Sequence, residues 1–389
     1  MPYPSVSARF RNACMKTLVT ALCGGTALVA VVAPLSATPP LLDRIDRVIG
    51  KVRGYELRSD RDSPWVIMHA VIALKTDVEV NVVDRDRHQP VNAIRYLLTQ
   101  AQWDGTRIFR ATAGRPWLPT RDITPGFHQS YLIQDHVNQY LCALADANVP
   151  LNEKLIAEGD REFTVGDLLA ACQYNFRPEQ ELGWTLVCLA HYTPVDEPWP
   201  ASDGRSWTLA DLVTLATDRD VQHETEGGPH HLYGVAYALQ GWRNAHPGRS
   251  ADGAWRLAEE YLERHIDVTR QYQQDDGELS AGMYNRGEPS SHPAQLVHAT
   301  GHTLEWLTRA LAPHRLQAGW VTRAVERLVR EMERAPLQEL TPGGTYHAVH
   351  ALRRYREIAA AWQTPHKVRS TAPTSPPAGF AGWDGKGGR

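Results

Sequence analysis

Gly159-Asp160-Arg161-Glu162-Phe163-Thr164-Val165-Gly166-Asp167-Leu168-Leu169 is echoed by Asp203-Gly204-Arg205-Ser206-Trp207-Thr208-Leu209-Ala210-Asp211-Leu212-Val213. Arg161 and Arg205, Phe163 and Trp207, Thr164 and Thr208, and Asp167 and Asp211 each lie 44 residues apart. Each threonine stands where a helix N-cap belongs, with aspartate at the third helical position. That is a capping box with Asp in place of Glu, and the preceding aromatic is placed like a hydrophobic staple. A match of this density at one offset marks one supersecondary unit used more than once.

The same spacing governs a second set of segments, each with histidine. They are Trp65–Thr76 with His69, Gly126–Ala147 with His128 and His136, and Gly183–Tyr192 with His191. Gly227–Trp242 carries His230 and His231, Val297–Ala312 carries His298 and His302, and Gly343–Trp362 carries His347 and His350. Gly183 to Gly227 is 44 residues and Gly301 to Gly343 is 42. Helical apolar spacing runs through 40–53, 64–76, 89–102, 126–147, 164–175, 180–192, 208–218, 228–244, 252–274, 293–312, 316–334 and 344–362. Strand signals are poor, with Val78–Val83 the one β-like run. Twelve helices in six hairpins predict an all-α chain closed as an (α/α)6 toroid. The histidine-bearing helices would form the inner ring and the amphipathic ones, such as Trp255–Gln274, the outer.

Two loops carry a resemblance. Gln102-Trp103-Asp104-Gly105 and Gln274-Asp275-Asp276-Gly277 resemble the Gln…Asp-Gly turn element of the terpenoid cyclase and prenyltransferase toroids. Asp-Gly makes a tight turn because glycine tolerates positive φ. The chain from residue 38 onward is also similar to a family of secreted bacterial α/α-toroids, a resemblance that implies a fold and no activity. The cyclase chemistry does not carry over. Asp84-Arg85-Asp86-Arg87 lacks the second adjacent aspartate of an Asp-x-Asp-Asp acid and reads as a solvated charge run. No cysteine stands in the openings of the histidine-bearing helices, so a prenyltransferase-type zinc set does not carry over either.

The chain has 389 residues with 41 basic and 44 acidic side chains. Residues 1–37 read as an export signal: Arg9, Arg11 and Lys16, then apolar Leu18–Val32, then Leu35-Ser36-Ala37 as a cleavage site. Leu22 before Cys23 argues against a lipoprotein site. An uncleaved anchor is the alternative. Removing three basic and no acidic residues leaves 38 against 44, a net of −6. The expectation is an exported protein, periplasmic or extracellular, with no membrane span in the mature chain. No basic stripe favours nucleic acid. Residues 364–389 are Pro-, Gly-, Ser- and Thr-rich and read as a disordered tail; nothing between 40 and 362 resembles a linker, so one domain is expected. Cys142, Cys172 and Cys188 follow the signal. One pair, best Cys172 with Cys188, and buried thiols are equal readings.

Four clusters bear chemistry. His223-Glu224-Thr225-Glu226-Gly227-Gly228-Pro229-His230-His231 puts two imidazoles in the first turn of a helix, where the dipole favours the neutral ring. Their directions differ by about 100°, so at least one faces a cavity. His302 and Glu305 share a helical face, and so do His347 and His350 beside Tyr346. The loop from Asp275 to Arg286 adds Glu278 and Tyr284. The catalytic candidates are His302 with Glu305 as base or orienter, His230 or His231 as partner, and Tyr346 or His347 as acid. Trp184, Tyr233, Tyr284 and Trp306 are the candidate platforms for a substrate.

The cofactor is left open. Several helices bring histidine, but neither His-Glu-x-x-His nor Cys-x-x-Cys spacing occurs, and Gly-x-Ser-x-Gly is absent. Two functions compete. One is acid–base chemistry on a glycan-like or other small polar substrate, as a hydrolase or lyase. The other is a non-catalytic binding or scaffold module of the cell envelope, in which the histidines are repeat-derived hydrogen-bonding furniture.

Overall fold

In a computed structural model of the chain, residues 40–85, 87–120 and 133–363 are described. The expected signal, Asp86, the start of the 126–147 segment with His128, and the tail lie outside them. The described residues form twelve α-helices: α1 Leu41–Arg53, α2 Pro64–Leu74, α3 Ala93–Thr99, α4 Gln139–Asp146, α5 Val165–Tyr174, α6 Gly183–Tyr192, α7 Leu209–Thr217, α8 Pro229–Ala245, α9 Gly253–Gln271, α10 Pro293–Ala310, α11 Gly319–Arg334 and α12 Pro342–Gln363. Each falls within or close to one expected segment.

The chain is predominantly helical and not all-α. Ten short strands form five separate antiparallel hairpins: β1 Glu79–Asp84 with β2 Arg87–Asn92, β3 Gln102–Trp103 with β4 Thr106–Arg107, β5 Arg110–Thr112 with β6 Arg115–Trp117, β7 Lys154–Ala157 with β8 Arg161–Thr164, and β9 Trp199–Pro200 with β10 Ser206–Trp207. The expected helix over 89–102 therefore begins only at Ala93. Val91 pairs with Val80, and Pro90 sits in the two-stranded ribbon, where its missing N–H costs little. The Gln102–Gly105 element is the turn of β3–β4, with Asp104 and Gly105 both at positive φ. Within the described part of the expected 126–147 helix, residues 133–147, the helix begins at Gln139, directly after Asn138 in a left-handed conformation.

Both capping boxes form. Thr164 Oγ1 accepts from the Asp167 amide at 3.2 Å, and Asp167 accepts from the Thr164 amide at 2.8 Å. Thr208 and Asp211 repeat this at 3.2 and 2.9 Å. The hairpins β7–β8 and β9–β10 deliver the chain into these caps, so the 44-residue echo is a β-ribbon feeding a capped helix.

The even- and odd-numbered helices differ in burial. α1 buries Ile45, Val48, Ile49 and Val52, one face at helical spacing. In α2 every residue from Ile67 to Leu74 is buried, and α10 is buried continuously from Ala299 to Thr308. The even helices pack in succession: α2 on α4, α4 on α6, α6 on α8, α8 on α10, α10 on α12, and α12 back on α2. Missing side chains allow close crossings. A Cβ on Gly234 would lie 2.3 Å from the Gly183 carbonyl oxygen, and one on Gly301 would lie 2.8 Å from the Ala348 Cβ. The sulfurs of Cys172 and Cys188 are buried, unbonded and 4.0 Å apart.

Candidate functional site

Proline opens α2, α8, α10 and α12, supplying a preset φ where no amide hydrogen is needed. The first turns of these helices, with the approach to α4, surround a cavity of about 320 Å³. Six histidines line it: His69, His136, His230, His298, His302 and His347. His69, His298 and His347 each stand five residues after the opening proline of their helix, so one helical position recurs around the cavity. Ring centroids of neighbours are close: His302 to His347 4.2 Å, His230 to His302 5.1 Å, His230 to His347 5.2 Å and His136 to His230 4.9 Å.

The outward side of most of these rings is tied down. His69 Nδ1 lies 2.7 Å from the Trp65 carbonyl oxygen and His302 Nδ1 lies 2.8 Å from that of His298. His347 Nδ1 lies 2.9 and 3.0 Å from the Glu305 carboxylate, and His136 Nδ1 lies 2.9 Å from Glu181. A nitrogen facing an oxygen acceptor carries the proton, so in the neutral rings Nε2 keeps its lone pair and turns inward. His69 Nε2 accepts from the Gln139 amide at 3.3 Å. His230 is different: both of its nitrogens are buried, and neither has a hydrogen-bond partner among the described residues. One donor nitrogen from each of His230, His302 and His347 lies within 4.8 Å of the others. Around a tetrahedral ion at about 2.1 Å such nitrogens sit about 3.4 Å apart, a small contraction.

Glu226 closes the cavity. It takes a left-handed conformation (φ 56°), and Gly227 and Gly228 continue it at φ 75° and 99°. A Cβ on Gly228 would lie 2.2 Å from Val221 Cγ2, so only glycine fits. The kink brings the Glu226 carboxylate within 3.4 Å of His302 Nε2, 3.8 Å of His230 and His298 Nε2, and 3.9 Å of His136 Nε2. Strained backbone of this kind persists where its surroundings over-determine it and clusters at functional sites.

Burial, reinforced by neighbouring histidines, holds His69, His230 and His302 well below the usual imidazole range, so these rings are neutral. Burial also lowers His298 despite Glu226. At His136 burial pulls down but Glu181 outweighs it, and the ring is raised. Glu305 is buried, which alone would raise it; His347 and His350 outweigh that and bring it down to about 2.

The sequence candidates are placed as follows. His230, His302 and His347 meet in the cavity. Glu305 stands directly behind His347. His231 points away, with Nε2 2.9 Å from the Ala216 carbonyl oxygen and Nδ1 3.4 Å from Glu224. Tyr346 is buried with Asp62, Tyr55 and Arg61 as its electrostatic neighbours, outside the cavity lining. Trp184 lies beneath the cavity, 4.5 Å from the His230 ring. Trp306 donates to the Tyr284 hydroxyl at 2.8 Å, both buried. Tyr233 sits farther along the helices beside Asp146 and Arg309. His69, His136, His298, Glu226 and Glu181 belong to the cluster without having been site candidates. The recurring Pro-x4-His spacing was the signal that held three of its histidines.

A hydrogen-bonded chain leads away from the cavity. His347 Nδ1 meets Glu305, Glu305 meets His350 Nδ1 at 2.6 Å, and His350 Nε2 meets Asp146 at 3.0 Å. Asp146 in turn contacts Lys75 and, at 3.2 Å, Arg309. No helix among the described residues is long and apolar enough to cross a membrane. Comparison with known proteins returns no match among family models, curated proteins or solved structures.

Proposed function

We propose that the chain is an exported (α/α)6 toroid whose central cavity holds one divalent transition metal on His230, His302 and His347, and that it performs hydrolytic or eliminative chemistry on a small polar substrate. The closed succession of the even helices supports the toroid. The single observation that carries the metal is the tautomer arrangement. His302 and His347 have their Nδ1 protons held by a carbonyl and a carboxylate, as metal-ligating histidines do, and they meet a buried His230 that has no hydrogen-bond partner among the described residues. Neutral imidazoles suit zinc and its neighbours in the first transition row. Three protein nitrogens leave a coordination position for water or substrate. Glu226, a third exposed and 3.4 and 3.8 Å from the Nε2 atoms of His302 and His230, is the base. His136, kept basic by Glu181, is the acid that would protonate a leaving oxygen. A cavity near 320 Å³ suits a substrate the size of one sugar ring or a similar small polar group.

Metal analysis of the purified chain tests this. One equivalent of zinc or cobalt is expected, with the cobalt form showing the visible bands of a tetrahedral nitrogen site. His302→Ala and His347→Ala should each abolish it. A wild-type chain that binds none of zinc, cobalt, nickel, copper or iron(II) sinks the proposal. Metal binding without turnover on a panel of glycosides and esters would favour the binding-module reading.

A further inference from the structure

About seven residues beyond the histidine cluster along α10 and α12, roughly 10 Å at 1.5 Å per residue, the helices border a second cavity of about 310 Å³. Its charged lining is Lys75, Arg309, Arg353 and Arg354 against Asp146 and Glu357, with His350 at its base. Helix C-termini attract cations, and that accounts for Lys75 at the end of α2 and Arg309 in the last turn of α10. It does not account for Arg353 and Arg354, which lie in the middle of α12.

These guanidinium groups are crowded: Arg309 pairs with Asp146 at 3.2 Å and Arg353 with Glu357 at 3.1 Å, while Arg354 is left without a carboxylate among the described residues. Arg309 Nη1 and Arg354 Nη2 both donate to one acceptor, Gln240 Oε1, at 2.9 and 3.4 Å. Arg354 otherwise donates only to the Thr308 carbonyl oxygen, at 3.1 Å, and has no carboxylate partner among the described residues. Arg309 Nε and Arg353 Nη1 are buried without a partner. Burial and the nearby Arg309 pull Arg354 below its ordinary value. Two guanidinium groups converging on one amide oxygen inside a low-dielectric cleft repel each other, and an oxyanion between them would turn that repulsion into charge-assisted hydrogen bonds.

We infer that this second cavity is a binding site for a phosphate-type dianion, held by Arg309, Arg353 and Arg354. The four cations exceed the two carboxylates by two charges, which matches the charge of about −1.5 to −2 on a phosphate group at pH 7. The group is either free phosphate or the phosphoryl end of a small phosphomonoester.

Calorimetric titration of the full chain with inorganic phosphate and with phenyl phosphate, at ionic strength fixed with chloride, tests it. Binding of both anions supports a site for the free ion. Binding of phenyl phosphate alone supports a phosphomonoester site. Arg354→Met should weaken either at least tenfold, while its melting temperature without anion equals or exceeds that of wild type because the crowding is relieved. Arg353→Met, whose side chain is a quarter exposed, is the second variant should Arg354→Met fail to fold, with the same expected loss. If neither anion binds the wild-type chain, or if the folded variant binds as tightly as wild type, the inference is overturned. Metal content of the variants stays at the wild-type level, so failure here is separable from failure of the metal proposal.

Discussion

Replacing His230 by leucine separates a metal ligand from a structural histidine. Both His230 ring nitrogens are buried without a hydrogen-bond partner among the described residues. Each buried unsatisfied polar group costs about 1–3 kcal/mol, so an apolar side chain of similar volume removes a liability. Repacking beneath Trp184, 4.5 Å from the ring, costs about 1–2 kcal/mol. Two such nitrogens come to about 2–6 kcal/mol, so the net is a gain of about 0–5 kcal/mol in chelator, centred near 2, equivalent to a rise of a few degrees in melting temperature. Metal reverses the order. At a hundred times its dissociation constant, a ligand stabilises the native state by about 2.7 kcal/mol, and only the wild-type chain can collect it. Melting curves of the two chains, each with chelator and with excess zinc, should therefore cross. If His230→Leu is less stable than wild type in chelator by more than about 1 kcal/mol, its nitrogens are satisfied and the reasoning fails. An equal zinc shift in both chains also refutes it.

Three further outcomes follow from other parts of the molecule. Glu305→Gln weakens the buried hydrogen bonds that its carboxylate accepts from His347 and His350 and should cost about 2–4 kcal/mol by urea denaturation, with metal affinity falling about 10- to 100-fold in competition titration. Asp146 is buried, which would raise it, but Lys75, His350 and Arg309 hold it well below the usual carboxylate range. A depressed carboxylate stabilises above its unfolded value of about 3.9 and loses that contribution as pH falls through the folded value. Asp146→Asn should thus cost about 3–5 kcal/mol at pH 7, and the gap to wild type should narrow below about pH 4; a gap independent of pH contradicts the pairing. Mass measurement of the exported product should place its N-terminus near Thr38, whereas Met1 retained on a soluble cytoplasmic product removes the export proposal.

Helix positions were legible because caps and apolar spacing are local. Thr164 and Thr208 announced their helices with the residues that cap them. Of the strands only β1 was legible, in the Val78–Val83 run; the others from β3 on have two to four residues, too short to show an alternating period, and β2 is largely solvent-facing. For the site, proximity was legible and direction was not. His230 and His231 are adjacent in sequence, yet one enters the cavity and the other bonds a carbonyl on α7. Glu226 lies in the loop before α8 with no periodicity to give its direction, and three consecutive left-handed residues turn it over four imidazoles. Asp146 and Arg309 gave no signal, being lone charges at helix ends 163 residues apart.

The chain of contacts from His347 through Glu305 and His350 to Asp146 joins the two cavities, so the two proposed ligands are expected to influence one another. A ligand that draws Lys75 or Arg309 away from Asp146 changes how firmly that carboxylate holds His350, and through Glu305 it changes the donor strength of His347. Linkage makes such an influence mutual: the factor by which an anion shifts metal affinity equals the factor by which metal shifts anion affinity. A tenfold factor corresponds to about 1.4 kcal/mol, less than the strength of one charge-assisted hydrogen bond in the relay. An affinity measured at either cavity is therefore a conditional quantity, defined only once the occupancy of the other is stated.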